Sequence, residues 1–240
     1  MNSMKTDFRK LYNTLSGSYD QRHSSPTTLE VRKREVPLVR RFAHGRTLDV
    51  GCGTGFHLPL VEDVVGMDIS EGMLSKASGK LVIQAGGEHI PFRSEAFDCV
   101  MCMFSVLNVC DYRRTISEMG RVLKPGGILI TSVASVWDQD YETLDEKKGV
   151  KLTGDMKTKR FQISGHDTEL YLFGKDEITG LFSEAGFELI RFDSVFVLQR
   201  PKWGDLTPFS LREKLRLGVE RFYPKEYGCI YFMVFRKLHR

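Results

Sequence analysis

An α/β fold with a mostly parallel sheet is predicted by three observations. Strand-like and helix-like segments alternate five times between residues 47 and 133. The strand segments are apolar throughout, as strands covered on both faces are. The first of them runs directly into Asp49-Val-Gly-Cys-Gly-Thr-Gly55, a glycine-rich turn of the kind that separates a strand from a helix.

The elements follow in order. Residues 4–15 and 27–43 have helical periodicity, with Leu29, Val36, Val39 and Phe42 along one face of the second. Pro37 removes a backbone donor inside that stretch and predicts a kink or a split into two short helices, and Gly45 stops it. Thr47–Val50 is the first strand. After the glycine turn and a short helix comes Val64–Asp68, the second. A helix over Glu71–Lys80 leads to the third strand, Leu81–Gln84, and Phe97–Phe104 is the fourth. A helix over Tyr112–Leu123 is broken by Lys124-Pro-Gly-Gly127, and Ile128–Val133 is the fifth strand. Residues 138–170 are charged and lack a clear period. They read as an insertion, with a hairpin around Lys159–Leu172. The rhythm resumes with a helix over Lys175–Ala185 and a strand over Glu188–Phe196. A basic amphipathic helix over Ser210–Phe222 and a strand over Cys229–Phe235 follow, the last two strands pairing like a hairpin across the sheet edge.

Composition excludes several classes. With 240 residues, 41% hydrophobic and 28% charged, the chain can bury a core and is not a disordered polymer. The longest apolar run, near Gly127–Trp137, contains Thr131, Ser132 and Ser135 and falls well short of the ~20 residues of a membrane span. The N-terminus lacks an apolar signal core. Five cysteines (52, 99, 102, 110 and 229), several inside apolar runs, suit buried thiols in a reducing compartment, so a cytoplasmic location is expected. Cys99-x-x-Cys102 lies in a strand, where positions three apart face opposite sides, and no second ligand pair sits nearby. No metal site is predicted. The net charge of +4 is unevenly spread: residues 1–45 hold 9 Lys/Arg against 4 Asp/Glu, residues 200–240 hold 10 against 4, and the middle holds 16 against 23. Basic ends point either to an anionic partner or simply to solvated helix faces.

The chemistry is concentrated in two strand ends. Gly51, Gly53 and Gly55 let the backbone turn sharply and approach a ligand at the carboxyl edge of the sheet. Asp68 ends the second strand 19 residues after Asp49, where a carboxylate can accept from both hydroxyls of a ribose. Its competing use is as an N-cap for the next helix, which Ser70 can also supply. A dinucleotide fingerprint needs Gly-x-Gly-x-x-Gly. Here the third glycine's place, position 56, is phenylalanine, which disfavours a dehydrogenase.

Leu48-Asp-Val-Gly-Cys-Gly-Thr-Gly55, Gly66-Met-Asp-Ile-Ser-Glu-Gly-Met-Leu74, Glu88-His-Ile-Pro-Phe92, Phe97-Asp98, Arg121-Val-Leu-Lys-Pro-Gly-Gly127 and Glu184-Ala-Gly-Phe187, in this order, resemble the class I S-adenosylmethionine-dependent methyltransferases, in the small-domain group that includes the ubiquinone/menaquinone enzymes. The resemblance implies a Rossmann-like, seven-stranded, mostly parallel sheet with helices on both faces and the last strand antiparallel. It implies one methyltransferase domain over 1–240: a helical cap (1–45), a cofactor-binding core (46–136), the insertion (138–170), and a C-terminal part (171–240) whose 200–227 stretch is a helical elaboration. It further implies S-adenosyl-L-methionine as cofactor. Asp49, Gly51, Cys52, Gly53 and Gly55 would line its methionine and ribose part, Asp68 would hold the ribose, and Ile69 and Met73 would lie near the adenine. Relatives often place an aspartate where this chain has Gly86, so adenine recognition would rest on the backbone around Gly86, Gly87 and Glu88. Phe104-Ser105-Val-Leu-Asn108 would face the methyl group. Tyr19-Asp20 matches a pair that folds over the cofactor in relatives, and Tyr12 is a second candidate.

Transfer from a sulfonium needs positioning and a lone pair on the acceptor, and a general base only if the acceptor is protonated. The candidates are His166 and Asp167 in the insertion, Tyr19, and His57, His89 and Asp111, of which His57 and His89 are the more structural in setting. The loop after the fourth strand lacks the Asp/Asn-Pro-Pro-aromatic motif of enzymes acting on exocyclic amines of nucleobases. The expected acceptor is a small molecule, an anionic one if the basic ends are used. The alternatives are an RNA (tRNA) base, held through basic and aromatic residues near the C-terminus, and a non-catalytic cofactor-binding or assembly protein.

Overall fold

The computed structural model describes residues 7–104, 106–138, 151–153, 156–163, 166–195, 222 and 224–239. Among these residues ten strands follow one another: β1 (Thr47–Val50), β2 (Val64–Asp68), β3 (Leu81–Gln84), β4 (Phe97–Cys102), β5 (Leu123–Ala134), β6 (Lys151–Thr153), β7 (Met156–Ile163), β8 (His166–Leu172), β9 (Phe187–Val195) and β10 (Ile230–Lys237). Seven of them form the main sheet in the order β3-β2-β1-β4-β5-β10-β9, and β6-β7-β8 form a second, antiparallel one. The second sheet contains the hairpin expected around Lys159–Leu172. The order of the main sheet reverses beside β1, which opens a crevice at the carboxyl ends of β1 and β4.

In the main sheet β10 alone runs against its neighbours. The antiparallel last strand and its pairing with β9 are as the sequence implied. Within that pair β10 lies inside the sheet, between β5 and β9, and β9 is the edge. The reason is apolarity. Tyr231, Phe232, Met233, Val234 and Phe235 are all buried, so β10 needs cover on both faces and a partner on each side.

Among the described residues six helices accompany the strands: α1 (Phe8–Leu15), α2 (Tyr19–Arg22), α3 (Pro26–Phe42), α4 (Glu71–Leu74), α5 (Tyr112–Val122) and α6 (Lys175–Glu184). On one face of the sheet α5 and α6 bury Ile116, Met119, Ile178 and Phe182. On the other, α3 buries Val31, Leu38 and Val39. Cys99 and Cys102 belong to opposite cores, and all five cysteines are free thiols.

Local differences from the expected elements have local causes. Helix α3 runs unbroken through Pro37, which sits on its exposed side where solvent reaches the carbonyl left without a donor. Its buried stripe is Val31, Glu35, Leu38 and Val39, whereas Leu29 is exposed. The helix expected to Lys80 stops after Leu74, before a run that includes Ser78 and Gly79, the latter at φ +77°. The short helix after the glycine turn is a single 3₁₀ turn, Leu58–Leu60. Strand β4 ends at Cys102 because Phe104 turns the chain at φ +59°, a left-handed conformation rare outside glycine. The basic helix expected over 210–222 lies, but for residue 222, outside the described residues. Among the described residues no helix is long and apolar enough to cross a membrane.

Candidate functional site

The glycine turn is built from three glycines with different reasons to be there. Gly51 and Cys52 both donate their amides to the Met67 carbonyl (2.8 and 2.9 Å), which ties the turn to β2. A Cβ on Gly51 (φ +75°) would meet Val106 Cγ2 at 2.3 Å, and one on Gly55 (φ +87°) would meet Ala77 Cβ at 3.1 Å. Packing forbids a side chain at Gly51, and the left-handed backbone with tight contacts disfavours one at Gly55. At Gly53 (φ +55°) an added Cβ would meet nothing within 4 Å, so this glycine alone opens onto free space. Gly55 thus faces the protein, not a ligand. Cys52 lies beneath the turn, where burial pushes its thiol well above the usual range, and it lines a small recess behind the main cavity.

Asp68 terminates β2 and holds the turn from the other side. Its Oδ2 accepts from Gly53 N (2.9 Å) and its Oδ1 from Ser70 N (2.8 Å). The N-cap role competing for Asp68 belongs to Ser70, whose hydroxyl accepts from Met73 N (3.1 Å). Burial raises the Asp68 pKa despite the donors that oppose it.

A cavity of about 300 Å³ opens over these groups. Gly51, Gly53, Asp68, Ile69 and Met73 form one wall, and Gly86, Gly87 and Glu88 another. Phe104 and Val106 line it beside the turn, with Val106 packed on Gly51, and Phe8, Tyr12 and Tyr19 form the roof. The roof is pinned in place. Asn13 Oδ1 accepts from Ser70 Oγ (2.7 Å) and Gly72 N (2.9 Å), and Asp20 accepts from Thr54 Oγ1 (2.7 Å). Burial, with the Asp68 carboxylate nearby, pushes the Tyr12 hydroxyl up to about 12. Gly87 is required by packing, since a Cβ there would lie 2.8 Å from Thr115 Cγ2. The Glu88 carboxylate reaches back over Gly86 and also accepts from Asp111 N (3.1 Å).

Behind the turn lies a buried polar cluster. Asp49 is buried, and its Oδ2 has no hydrogen-bond partner among the described residues. Burial, opposed by His57 and assisted by the Asp68 and Glu35 charges, pushes its pKa up to about 6. His57 Nε2 stands 3.3 Å from Glu35 Oε2. Burial works against a charge on this imidazole, but the Glu35 carboxylate prevails and raises its pKa. Glu35 also accepts from Ser132 Oγ (3.1 Å), and that hydroxyl accepts from Phe104 N (2.7 Å). Glu35 was missed in the sequence, where a glutamate in a charged helix reads as solvated. Only its i, i+4 spacing from the buried Val31 gave a signal.

The remaining candidates separate. Tyr19 is on the cavity, stacked on His23 with ring centroids 4.0 Å apart. Asp111 lines the cavity but is engaged as the N-cap of α5. His57 is buried behind the turn and His89 is exposed. His166 and Asp167 belong to β8, their side chains lying outside the described set, as does Ser105. Of the segment after β4, Phe104 and Val106 face the cavity, whereas Leu107 and Asn108 do not. Asn108 is fully buried and binds the β5 backbone at Ala134 in both directions (2.9 Å each), because a buried amide must satisfy both its donor and its acceptor.

The cavity fits a cationic nucleoside. A carboxylate at the end of β2, an opening above Gly53, an unsatisfied buried carboxylate oxygen behind it and apolar walls at Ile69 and Met73 match a ribose, a close-lying chain, a positive charge and a base. Comparisons with known proteins agree. Residues 48–131 match the family described as a methyltransferase domain. An uncharacterized protein of Methanocaldococcus jannaschii is 31% identical over 78% of both chains. A demethylmenaquinone methyltransferase of Symbiobacterium thermophilum is 31% identical over 75% of this chain and 84% of its own. The fold is shared with a methyltransferase solved in complex with the Haloferax volcanii Trm112 activator (TM-score 0.66, 17% identity, 95% of this chain and 98% of that one). It is shared also with an S-adenosylmethionine-dependent methyltransferase of Thermotoga maritima (TM-score 0.59, 21% identity, 95% and 99%). Fold, turn and relatives coincide, and the chain belongs to the class I S-adenosylmethionine-dependent methyltransferases.

Proposed function

We propose that this methyltransferase acts on a small-molecule acceptor seated beside Phe104, under the roof made by α1 and α2. The observation that carries the reading is the charge of the cavity. Among the described residues, Asp7, Asp68, Glu88 and Asp111 line it against a single cation, Arg9. Such a surface attracts a sulfonium and repels a phosphate chain, which weighs against RNA. Among the described N-terminal residues, the two charged ones on the cavity, Asp7 and Arg9, cancel. Relatives named demethylmenaquinone methyltransferases support the same class of acceptor.

In this reading Asp68 takes the ribose hydroxyls with the lone pairs left by Gly53 and Ser70. Ile69, Met73 and the Gly86–Glu88 backbone take the adenine. Gly51, Gly53 and Asp49 meet the amino-acid end. When bound, S-adenosylmethionine supplies an already activated methyl group, so the protein's work is alignment and exclusion of water. Phe104 and the Phe8, Tyr12 and Tyr19 roof keep that space apolar. A protonated acceptor would need a base, for which Tyr19, His166 and Asp167 are the candidates. The five free thiols suit a reducing cytoplasm, where we place the enzyme.

The test is incubation with methyl-labelled cofactor and fractionated cell extract. Label entering the small-molecule fraction is the expected result. Label in RNA or protein would overturn the acceptor class, and tight cofactor binding with no transfer to any fraction would favour a non-catalytic role.

A further inference from the structure

Glu35 lies outside the main cavity and lines the recess behind the glycine turn, where its carboxylate reaches toward both the turn and, through Ser132, the segment after β4. It sits on the middle of α3, only 1% exposed. One carboxylate oxygen, Oε2, faces His57 Nε2 at 3.3 Å, an ion-pair contact without hydrogen-bond geometry, just beyond the glycine turn. The other, Oε1, accepts from Ser132 Oγ at 3.1 Å. A carboxylate can only accept, so the Ser132 hydroxyl is committed as a donor to Glu35. Its oxygen is thereby left to receive the Phe104 amide at 2.7 Å. Phe104 is held in the left-handed region at φ +59°, a conformation that persists only where neighbours over-determine it. Its ring faces His23 at 5.2 Å and lines both the main cavity and the recess behind the turn.

We propose that Glu35 is a positioning residue for the cofactor: one buried carboxylate braces the glycine turn through His57 and the segment after β4 through Ser132 and the Phe104 amide. The assignment rests on the amino-acid end of the cofactor lying at the turn. The adenine end, at Gly86–Glu88, receives no support from this brace. A change at Glu35 must therefore act unequally along the ligand. A residue that merely stabilised the scaffold would weaken every ligand alike.

Two probes separate the possibilities in calorimetric titrations of the full chain: S-adenosylhomocysteine, which carries the amino-acid end, and 5′-methylthioadenosine, which lacks it. In Glu35→Gln the expected result is at least a tenfold loss of affinity for the first and less than a threefold change for the second. Ser132→Ala and His57→Gln each cut one arm of the brace, and each should weaken S-adenosylhomocysteine selectively by a smaller factor. Combining Glu35→Gln with Ser132→Ala should add little to Glu35→Gln alone, because both act on one chain of contacts. Equal losses for the two probes, or no loss for either, would overturn the proposal. Should Glu35→Gln fail to fold, the two single-arm variants decide by the same comparison. The acceptor question does not enter, since neither probe donates a methyl group.

Discussion

Two aspartates show how differently the two ends of the sheet treat charge. Asp98, near the start of β4, is half-exposed and has a cation beside it. Lys124 Nζ donates to it at 2.6 Å and Arg46 N at 2.9 Å, and these donors hold its carboxyl below the usual range. Asp68, at the finish of β2, also receives two donors, Gly53 N and Ser70 N, but both are neutral amides. It has no ion-pair partner among the described residues, and burial raises its pKa. Asp49 behind it is more extreme, with one oxygen unpartnered. At one end the protein neutralises its own charges. At the other it leaves buried negative charge for a cation to neutralise, which costs stability until the ligand arrives.

That contrast can be broken in four ways, from the largest expected effect to the smallest. Asp49 ionises near pH 6 when folded and near 3.8 when unfolded. Its raised pKa favours the folded state at low pH, and that advantage is lost as pH rises through about 6. Asp49→Asn should therefore melt higher than the parent at pH 8, by up to about 3 kcal/mol, with the gain gone near pH 4. Equal melting curves at pH 8 would remove Asp49 from the group of uncompensated charges. Asp68→Ala removes charge-assisted hydrogen bonds of ~1.5–3 kcal/mol and should weaken S-adenosylhomocysteine by about ten- to a hundred-fold. Unchanged affinity by calorimetry would sink its assignment to the ribose.

The paired end should answer only to acid. Arg121, hydrogen-bonded to Glu118 at 2.7 and 2.8 Å, holds the Glu118 carboxyl down at about 2. A depressed pKa contributes stability above the unfolded value that fades as pH falls from 4.5 towards 2. Glu118→Gln should cost ~1–2 kcal/mol at neutral pH and little at pH 2, read from melting temperatures across that window. Asp98→Ala breaks a surface pair worth ~0–1 kcal/mol and should leave cofactor affinity untouched. A large binding defect there would erase the distinction between the two ends.

Much of this is legible in the sequence. The strands β1 to β5, the turn at Gly51–Gly55 and the carboxylate at Asp68 follow from local patterns: apolar runs, glycines and a residue at a fixed distance. What failed to show depends on partners far along the chain. Glu35 reads as a surface charge because its reasons for being buried, His57 and Ser132, lie 22 and 97 residues away. Asn108 was expected to face the methyl group because it follows Phe104, yet hydrogen bonds to Ala134 turn it into the core. The three glycines of the turn look alike in sequence. Only the positions of Val106 and Ala77 show that Gly53 alone opens outward. Likewise, apolar spacing alone cannot say whether β10 lies at the edge or inside the sheet.

The interior place of β10 bears on how the chain reaches this structure. The strand pairs with β5 over seven residues, Ile230 opposite Ala134, so nearly a hundred residues must be looped out before that half of the sheet can close. Contacts this distant in sequence form slowly, and until they do β5 has no neighbour on that side during synthesis. The equilibrium cost grows only with the logarithm of loop length, by ~0.6 kcal/mol for each doubling. The connections within that stretch, though not α6 and β9, which pack into the main sheet and its core, can therefore lengthen or shorten over evolution with little effect on the sheet's stability. A lineage of such enzymes could exchange those connections, and with them the molecules they meet, while the cofactor end stays fixed.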